Sequence, residues 1–275
     1  MLSLRGELVV VGKSPDGDSI RFIPRSPALL RSLAGGGRVD PSADGSVQLR
    51  LDGIDAPELH YNGLAQPLAE PARAELLAWC GFSNVRFEGE QVGAATPTRI
   101  PAAVLSALVD PNGRPIVLLL VGDDLPPDGA DVTPEVEHTA NLALAASGAA
   151  YGTFYATTDA AVRAPLAAAA TAARQARGGV WARDASAGFD LRSQASICPA
   201  GALILPKLFR RCSDYLRDGS PGTLPEWLRR RRGEPNSPDD EVILDGEPRH
   251  LSDLLTQEGT RISLTADPLE LLFVD

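Results

Sequence analysis

Two short acidic segments carry the residue types that chemistry would need. Asp16-Gly17-Asp18-Ser19-Ile20-Arg21-Phe22 is a turn running into a strand. Arg50-Leu51-Asp52-Gly53-Ile54-Asp55-Ala56-Pro57-Glu58 is a strand running into a loop. Asp18, Asp55 and Glu58 thus fall at strand edges, with Arg50 five residues before Asp55. Carboxylates so placed can hold a hard divalent cation through oxygen ligands, and a nearby guanidinium can grip a phosphate with its planar fork. Metal-assisted attack on a phosphodiester requires both. Apolar neighbours hold these carboxylates at the edge of a core, where unpaired charge is costly and marks a site. Two residues have plainer readings. Asp16-Gly17 is by itself a good type I′ hairpin turn between residues 9–11 and 20–22. Asp52, two residues from Arg50 on the same strand, is a ligand neighbour or a salt-bridge partner and is left outside the site.

Strands must hold these residues in place. β-Branched content and turn punctuation predict them over residues 5–11, 18–23, 47–54, 84–88, 101–109 and 115–121. A short helix is predicted over 26–34, and Asp110-Pro111-Asn112-Gly113 is a turn joining two apolar strands. Further helices are predicted over 134–146 and 159–176, the second after the cap candidates Thr157 and Thr158. Pro165 should delay or kink that helix. Five strands with Gly/Pro-rich connections and a few helices predict an α+β chain built on a five-stranded OB-type β-barrel with packed helices. From about residue 186 the pattern changes to short helices over 212–217 and 224–232, a linker over 233–240, a hairpin over 241–247 and a last apolar segment over 269–274. The expected organisation is therefore residues 1–185 as one domain and 186–275 as a small mixed C-terminal unit.

Composition narrows the class. A chain of 275 residues with 44% hydrophobic and 23% charged residues fits a globular fold with a real core. No stretch approaches the ~20 apolar residues of a membrane span, so no membrane partner is expected. The first residues lack a signal-peptide pattern, which predicts a cytoplasmic protein. Cys80, Cys198 and Cys212 have no CxxC spacing and read as idle thiols rather than a disulfide framework or a zinc site. The net charge of −10 is spread over both parts, with 15 basic against 21 acidic residues in 1–185 and 11 against 15 in 186–275. Such a surface repels polyanions, so binding of long DNA should be weak and salt-sensitive. Arg229–Arg232, the one basic run, is surrounded by Glu226, Glu234 and Asp239 and reads as a solvated helix end.

The two acidic segments together resemble the staphylococcal nuclease-like (thermonuclease) family, whose signature is a DGD-T/S turn followed by R-L-x-G-I-D-x-P-E. Other motifs follow in the family's order: Gln66-Pro67 with Glu70 and an Ala-rich helix to Trp79, Asn141-Leu142-Ala143-Leu144 with Gly148-Ala149-Ala150-Tyr151, and a last helix closing on Gly178-Gly179-Val180-Trp181. The resemblance covers roughly residues 4–184 and implies the OB-type barrel. It implies that Asp18, Asp55 and the backbone carbonyl of Ala56 hold a calcium ion, Ala56 standing where the family often has threonine. It implies that Glu58 acts on the attacking water and that Arg50 holds the scissile phosphate. A second phosphate-binding arginine is expected just before a strand. Arg99 matches the order of elements and is the preferred assignment, whereas Arg114, in Asn112-Gly113-Arg114, matches the local letters. Lysine is nearly absent, with only Lys13 and Lys207. Tyr61 and Phe154 are candidate base-stacking platforms, His60 lies two residues past Glu58, and His138 and His250 read as surface or capping residues.

The expected function is a calcium-dependent, sequence-tolerant nuclease acting on single-stranded or unstructured DNA or RNA. An alternative is a nuclease-like module that has lost activity and serves as a binding scaffold, with a protein partner met through the C-terminal unit. A small-molecule phosphodiesterase would also suit the acidic surface.

Overall fold

Residues 47–51 form the seam of the main sheet. The computed structural model describes residues 1–274. Its largest sheet contains β1 (Leu2–Val9), β2 (Arg21–Pro24), β3 (Val47–Gln48), β4 (Arg50–Leu51), β5 (Arg99–Val109) and β6 (Pro115–Val121). They run in the order β3-β2-β1-β5-β6-β4. All neighbours are antiparallel except β4 and β6, which are parallel. Only Leu49 separates β3 from β4, so the two ends of the sheet meet in one run of chain and the sheet nearly closes on itself. Closure hides edge strands that would otherwise be open to pairing.

Side-chain alternation fills the interior. Leu49 and Leu51 are buried in the core with Leu8, Phe22, Val104 and Leu119, while Arg50 between them is left half-buried at the rim. Helices α1 (Ala69–Trp79) and α2 (Ala140–Ser147) pack against this core. The Thr139 hydroxyl caps α2 by accepting the Leu142 amide at 3.2 Å. Two residues later Asn141, fully buried, reaches into the seam. Its Oδ1 accepts the Leu119 amide at 3.0 Å, and its Nδ2 donates to the carbonyls of Val117 at 2.9 Å and Asp52 at 2.8 Å.

Several expectations change. Asp16-Gly17 is not a type I′ turn, because that turn needs positive φ at both central residues and neither has it. Gly17 serves close approach instead: a Cβ there would lie 2.6 Å from the Ala56 Cβ and 2.9 Å from that of Ala72. The predicted strand 84–88 forms, but it pairs only with its hairpin partner, Ser83–Glu88 against Gln91–Thr96, outside the barrel sheet. Helix α3 (Ala160–Gln175) neither starts late nor uses a threonine cap. The Asp159 side chain accepts the Ala161 amide at 2.8 Å, and the helix runs through Pro165.

Beyond the barrel lie α4 (Pro206–Asp218), α5 (Leu224–Arg230) and two small sheets. One of these pairs Phe154–Tyr155 in parallel with Leu272–Phe273, so the last strand lies against chain from the first 185 residues. A second core joins Leu208, Phe209, Trp227 and Val242 to Tyr151, Tyr155, Ala170 and Trp181, crossing the expected boundary at 185. Helix α3 serves both cores, Val162 and Leu166 in the first and Ala170 and Ala173 in the second. Among the described residues, no helix is long and apolar enough to cross a membrane.

Replacing Asn141 by alanine takes the acceptor from the buried Leu119 amide and a donor from the Asp52 and Val117 carbonyls, the latter keeping the Asp52 amide, and should cost about 3 kcal/mol. The check is urea unfolding, where the midpoint should fall with the slope unchanged.

Candidate active site

A cavity of about 330 Å³ opens where the loop after β4, the turn before β6 and helix α4 meet. Four carboxylates (Asp16, Asp18, Asp55, Glu58) and four cations (Arg50, Arg114, Lys207, Arg210) line it, together with Ala56, Tyr61 and Tyr155. The two acidic segments are stitched together directly, since the Ala56 amide donates to Asp18 Oδ2 at 3.2 Å. Residues Ile54–Asp55 pair with Tyr151–Gly152, which fixes the chain just before Ala56. The Glu58 amide donates to Gln66 Oε1 at 3.0 Å, and Gln66 Nε2 donates in turn to the Ile204 carbonyl at 2.7 Å.

Crowded, poorly solvated carboxylates resist ionisation. Burial pushes Asp18 up to about 7, with Asp55 and then Glu58 adding to the effect. Burial also pushes Glu58 up to about 7, against the opposing charge of Arg210 and with that of Asp55. Asp16 rises to about 6 through burial and then Asp18. The cluster gathers several poorly solvated oxygen donors in one place, and this donor chemistry fits a hard cation. Among the described residues, no three carboxylate, histidine or cysteine side chains converge on one point. The set implied by the resemblance needs only Asp18, Asp55 and the Ala56 carbonyl, so water and phosphate oxygens would complete a calcium shell of six to eight.

One buried carboxylate aligns two arginines at the opposite wall. Asp110 accepts Arg114 Nε at 2.7 Å, pairs with its Nη2 at 2.7 Å, and accepts the amides of Asn112 at 2.9 Å and Arg114 at 2.8 Å. Arg50 Nη1 lies 4.0 Å from the same carboxylate. Arg50 also donates to Tyr155 Oη at 2.7 Å and lies 4.8 Å from the centre of the tyrosine ring.

Arg99, the preferred second arginine, is not brought to the cavity. It is exposed at the start of β5 and pairs with Glu7 at 2.9 Å. The hairpin Ser83–Thr96 is an extra element outside the barrel, which shifts the count of strands by one. Going round the barrel, the turn before β6 is the one that reaches the cavity, and it carries Arg114. Phe154 is buried in the core and offers no face to a base. His60 lies 3.6 Å from Glu90 and does not line the cavity. Tyr61 does line it, but its hydroxyl donates to Asp214 at 2.7 Å. The run at 229–232 is held by neighbouring carboxylates, with Arg231 on Asp218 at 2.9 Å and Arg232 on Asp239 at 2.9 Å. All three cysteines are free, and burial pushes the Cys80 thiol up to about 12.

Lys207 and Arg210 were not among the expected residues. Both lie on α4, which is longer than predicted and is bracketed by Pro206 at its first turn and Gly219 just past its end. Lys207, Arg210 and Arg211 stand at i, i+3 and i+4, one polar stripe opposite the buried Leu208, Phe209 and Cys212. That pattern is readable from the sequence. Arg210 Nη2 donates to Asp55 Oδ2 at 2.8 Å, and its Nη1 to Asp55 Oδ1 at 3.4 Å and to Glu58 Oε1. Asp240 holds the rest of the stripe, accepting Lys207 Nζ at 3.0 Å and both Arg211 Nε and Nη2 at 2.7 Å.

Compared with known protein families, the chain matches no family model, and no curated protein matches it in sequence.

The Asp240 cluster predicts an acid limit. Burial would push this carboxyl up, but Lys207 and then Arg211 reverse the effect and hold it at about 2. A depressed carboxylate contributes stability above its unfolded value near 3.9, and that contribution is lost as pH falls from about 4 towards 2. Asp240→Asn should therefore cost about 2–3 kcal/mol at pH 7 and flatten the acid limb of the stability profile, measured by urea unfolding from pH 7 to 2.5.

Proposed function

We propose that this chain is a calcium-dependent, sequence-tolerant nuclease of the staphylococcal nuclease type, hydrolysing phosphodiester bonds of single-stranded or unstructured DNA or RNA. The observation that carries this reading is the convergence of Asp18, Arg50, Asp55 and Glu58 on one cavity. The barrel supports it as well. Taken as one strand broken at Leu49, β3 and β4 leave five strands in an OB-type arrangement, closed by a parallel pair.

Asp18, Asp55 and the Ala56 carbonyl would hold the calcium. When bound, calcium supplies Lewis-acid polarisation of the phosphate. Arg50 and Arg114, aligned by Asp110, receive the phosphate and stabilise the charge that develops on it. Glu58 accepts the proton of the attacking water. The C-terminal unit walls one side, so the cavity takes a single strand or a strand end more readily than a duplex. The chain's acidity is offset where it matters, because four cations face the cavity. A second reading, an inactive module that binds a partner, draws on one observation: Arg210 engages both Asp55 and Glu58.

Cleavage of a labelled single-stranded oligonucleotide at low salt, with calcium and with chelator, separates the two. Calcium-dependent cleavage is expected, falling at least ~100-fold in Glu58→Gln and in Arg114→Ala. Arg99→Ala should stay within about twofold, as a surface ion pair contributes little. An intact protein that fails to cleave under these conditions would favour the binding module.

A further inference from the structure

Arg210 differs from the other cations of its helix. Lys207 and Arg211, three residues before it and one after, are both held by Asp240. Arg210 finds its partners in the nuclease-like part, 155 and 152 positions away in sequence, at Asp55 and Glu58. Its side chain is 19% exposed, and those of Asp55 and Glu58 are 4% and 16% exposed. Asp240 fixes the helix around Arg210, so the guanidinium is delivered to this place.

Two properties decide what it does there. A guanidinium and a divalent cation compete for the same carboxylate oxygens, and both oxygens of Asp55 face Arg210. A guanidinium also has a natural second partner in a phosphate, which matches its fork as well as a carboxylate does. Calcium alone would bring two positive charges against Arg210, whereas calcium with a phosphodiester brings one and offers the guanidinium an acceptor.

Building on the nuclease reading above, we propose that Arg210 is a substrate-phosphate residue supplied by the C-terminal unit, resting on Asp55 and Glu58 and passing to the phosphate as calcium takes Asp55. Metal and substrate then load together, each favouring the other by the same factor. The appended unit thereby becomes part of the binding site.

The test is calorimetric titration of the full chain, wild type and Arg210→Ala, with calcium alone and with an uncleavable phosphorothioate dinucleotide in the presence of calcium. Two changes of opposite sign are expected: Arg210→Ala binds calcium alone about tenfold more tightly and the dinucleotide about tenfold more weakly. Calcium affinity that is unchanged or weaker in the variant shows that Arg210 does not compete with the metal, and overturns the proposal while leaving the metal site standing. Dinucleotide affinity that is unchanged or tighter shows a plug with no hand-over, and also overturns it. If neither protein binds calcium, the nuclease reading itself falls and the proposal with it. Arg210→Gln keeps part of the stem and one amide donor but drops the charge and the fork. It should shift both affinities in the same two directions, and it decides the matter if thermal melting shows the alanine variant unfolded.

Discussion

Residues 47–58 have to close a sheet and carry three charged residues of the cavity in the same twelve positions. Closure demands that Leu49 and Leu51 face inward and that the backbone pair with β2 on one side and β6 on the other. The period of two then leaves Arg50 no choice of side. Asn141 holds the far end of the seam through the Asp52 carbonyl, three residues before Asp55. The loop 10–20 comes near enough for Ala56 to bond Asp18 because Gly17 has no side chain to keep the two apart. Barrel closure and site geometry are therefore one constraint, and damage to the seam reaches the carboxylates without touching them.

The electrostatics follow a common plan. Charges taken out of water must find partners or lose their ionisation. Here a single buried carboxylate serves two cations in two places: Asp110 for Arg50 and Arg114, Asp240 for Lys207 and Arg211. This leaves Arg50, Arg114 and Lys207 ordered and partly satisfied yet still lining the cavity. An acidic chain can in this way present a cationic wall to a phosphate without a basic surface elsewhere. The carboxylates of the cavity hold their protons more tightly than usual, chiefly because they are buried.

Asp18, Arg50, Asp55 and Glu58 were legible in the sequence because each sits in a short contiguous motif whose local structure decides where it points. The strands over 101–109 and 115–121 were legible for the same reason, being apolar and punctuated by a turn. The second arginine was not. Choosing between Arg99 and Arg114 required knowing that the hairpin at 83–96 stays out of the barrel, and only long-range pairing settles that. Arg210 was hidden differently: its helix could be read from Pro206, Gly219 and a polar stripe, but its partners lie over 150 positions away. The boundary at 185 marks a change of composition, whereas the second core is drawn together by packing that ignores it.

The parallel pairing of Phe154–Tyr155 with Leu272–Phe273 sets an order of events during synthesis. A ribosome that has delivered the barrel and α3 has already made every carboxylate of the cavity, along with Arg50 and Arg114. The wall bearing Lys207 and Arg210 is still to come, and Tyr155, already beside Arg50, meets Phe273 only when the last strand emerges. The nascent chain thus passes through a stage in which its acidic cluster has Arg50 and Arg114 but not yet Lys207 and Arg210. Assembly of the complete cavity is deferred until nearly all of these residues have been translated.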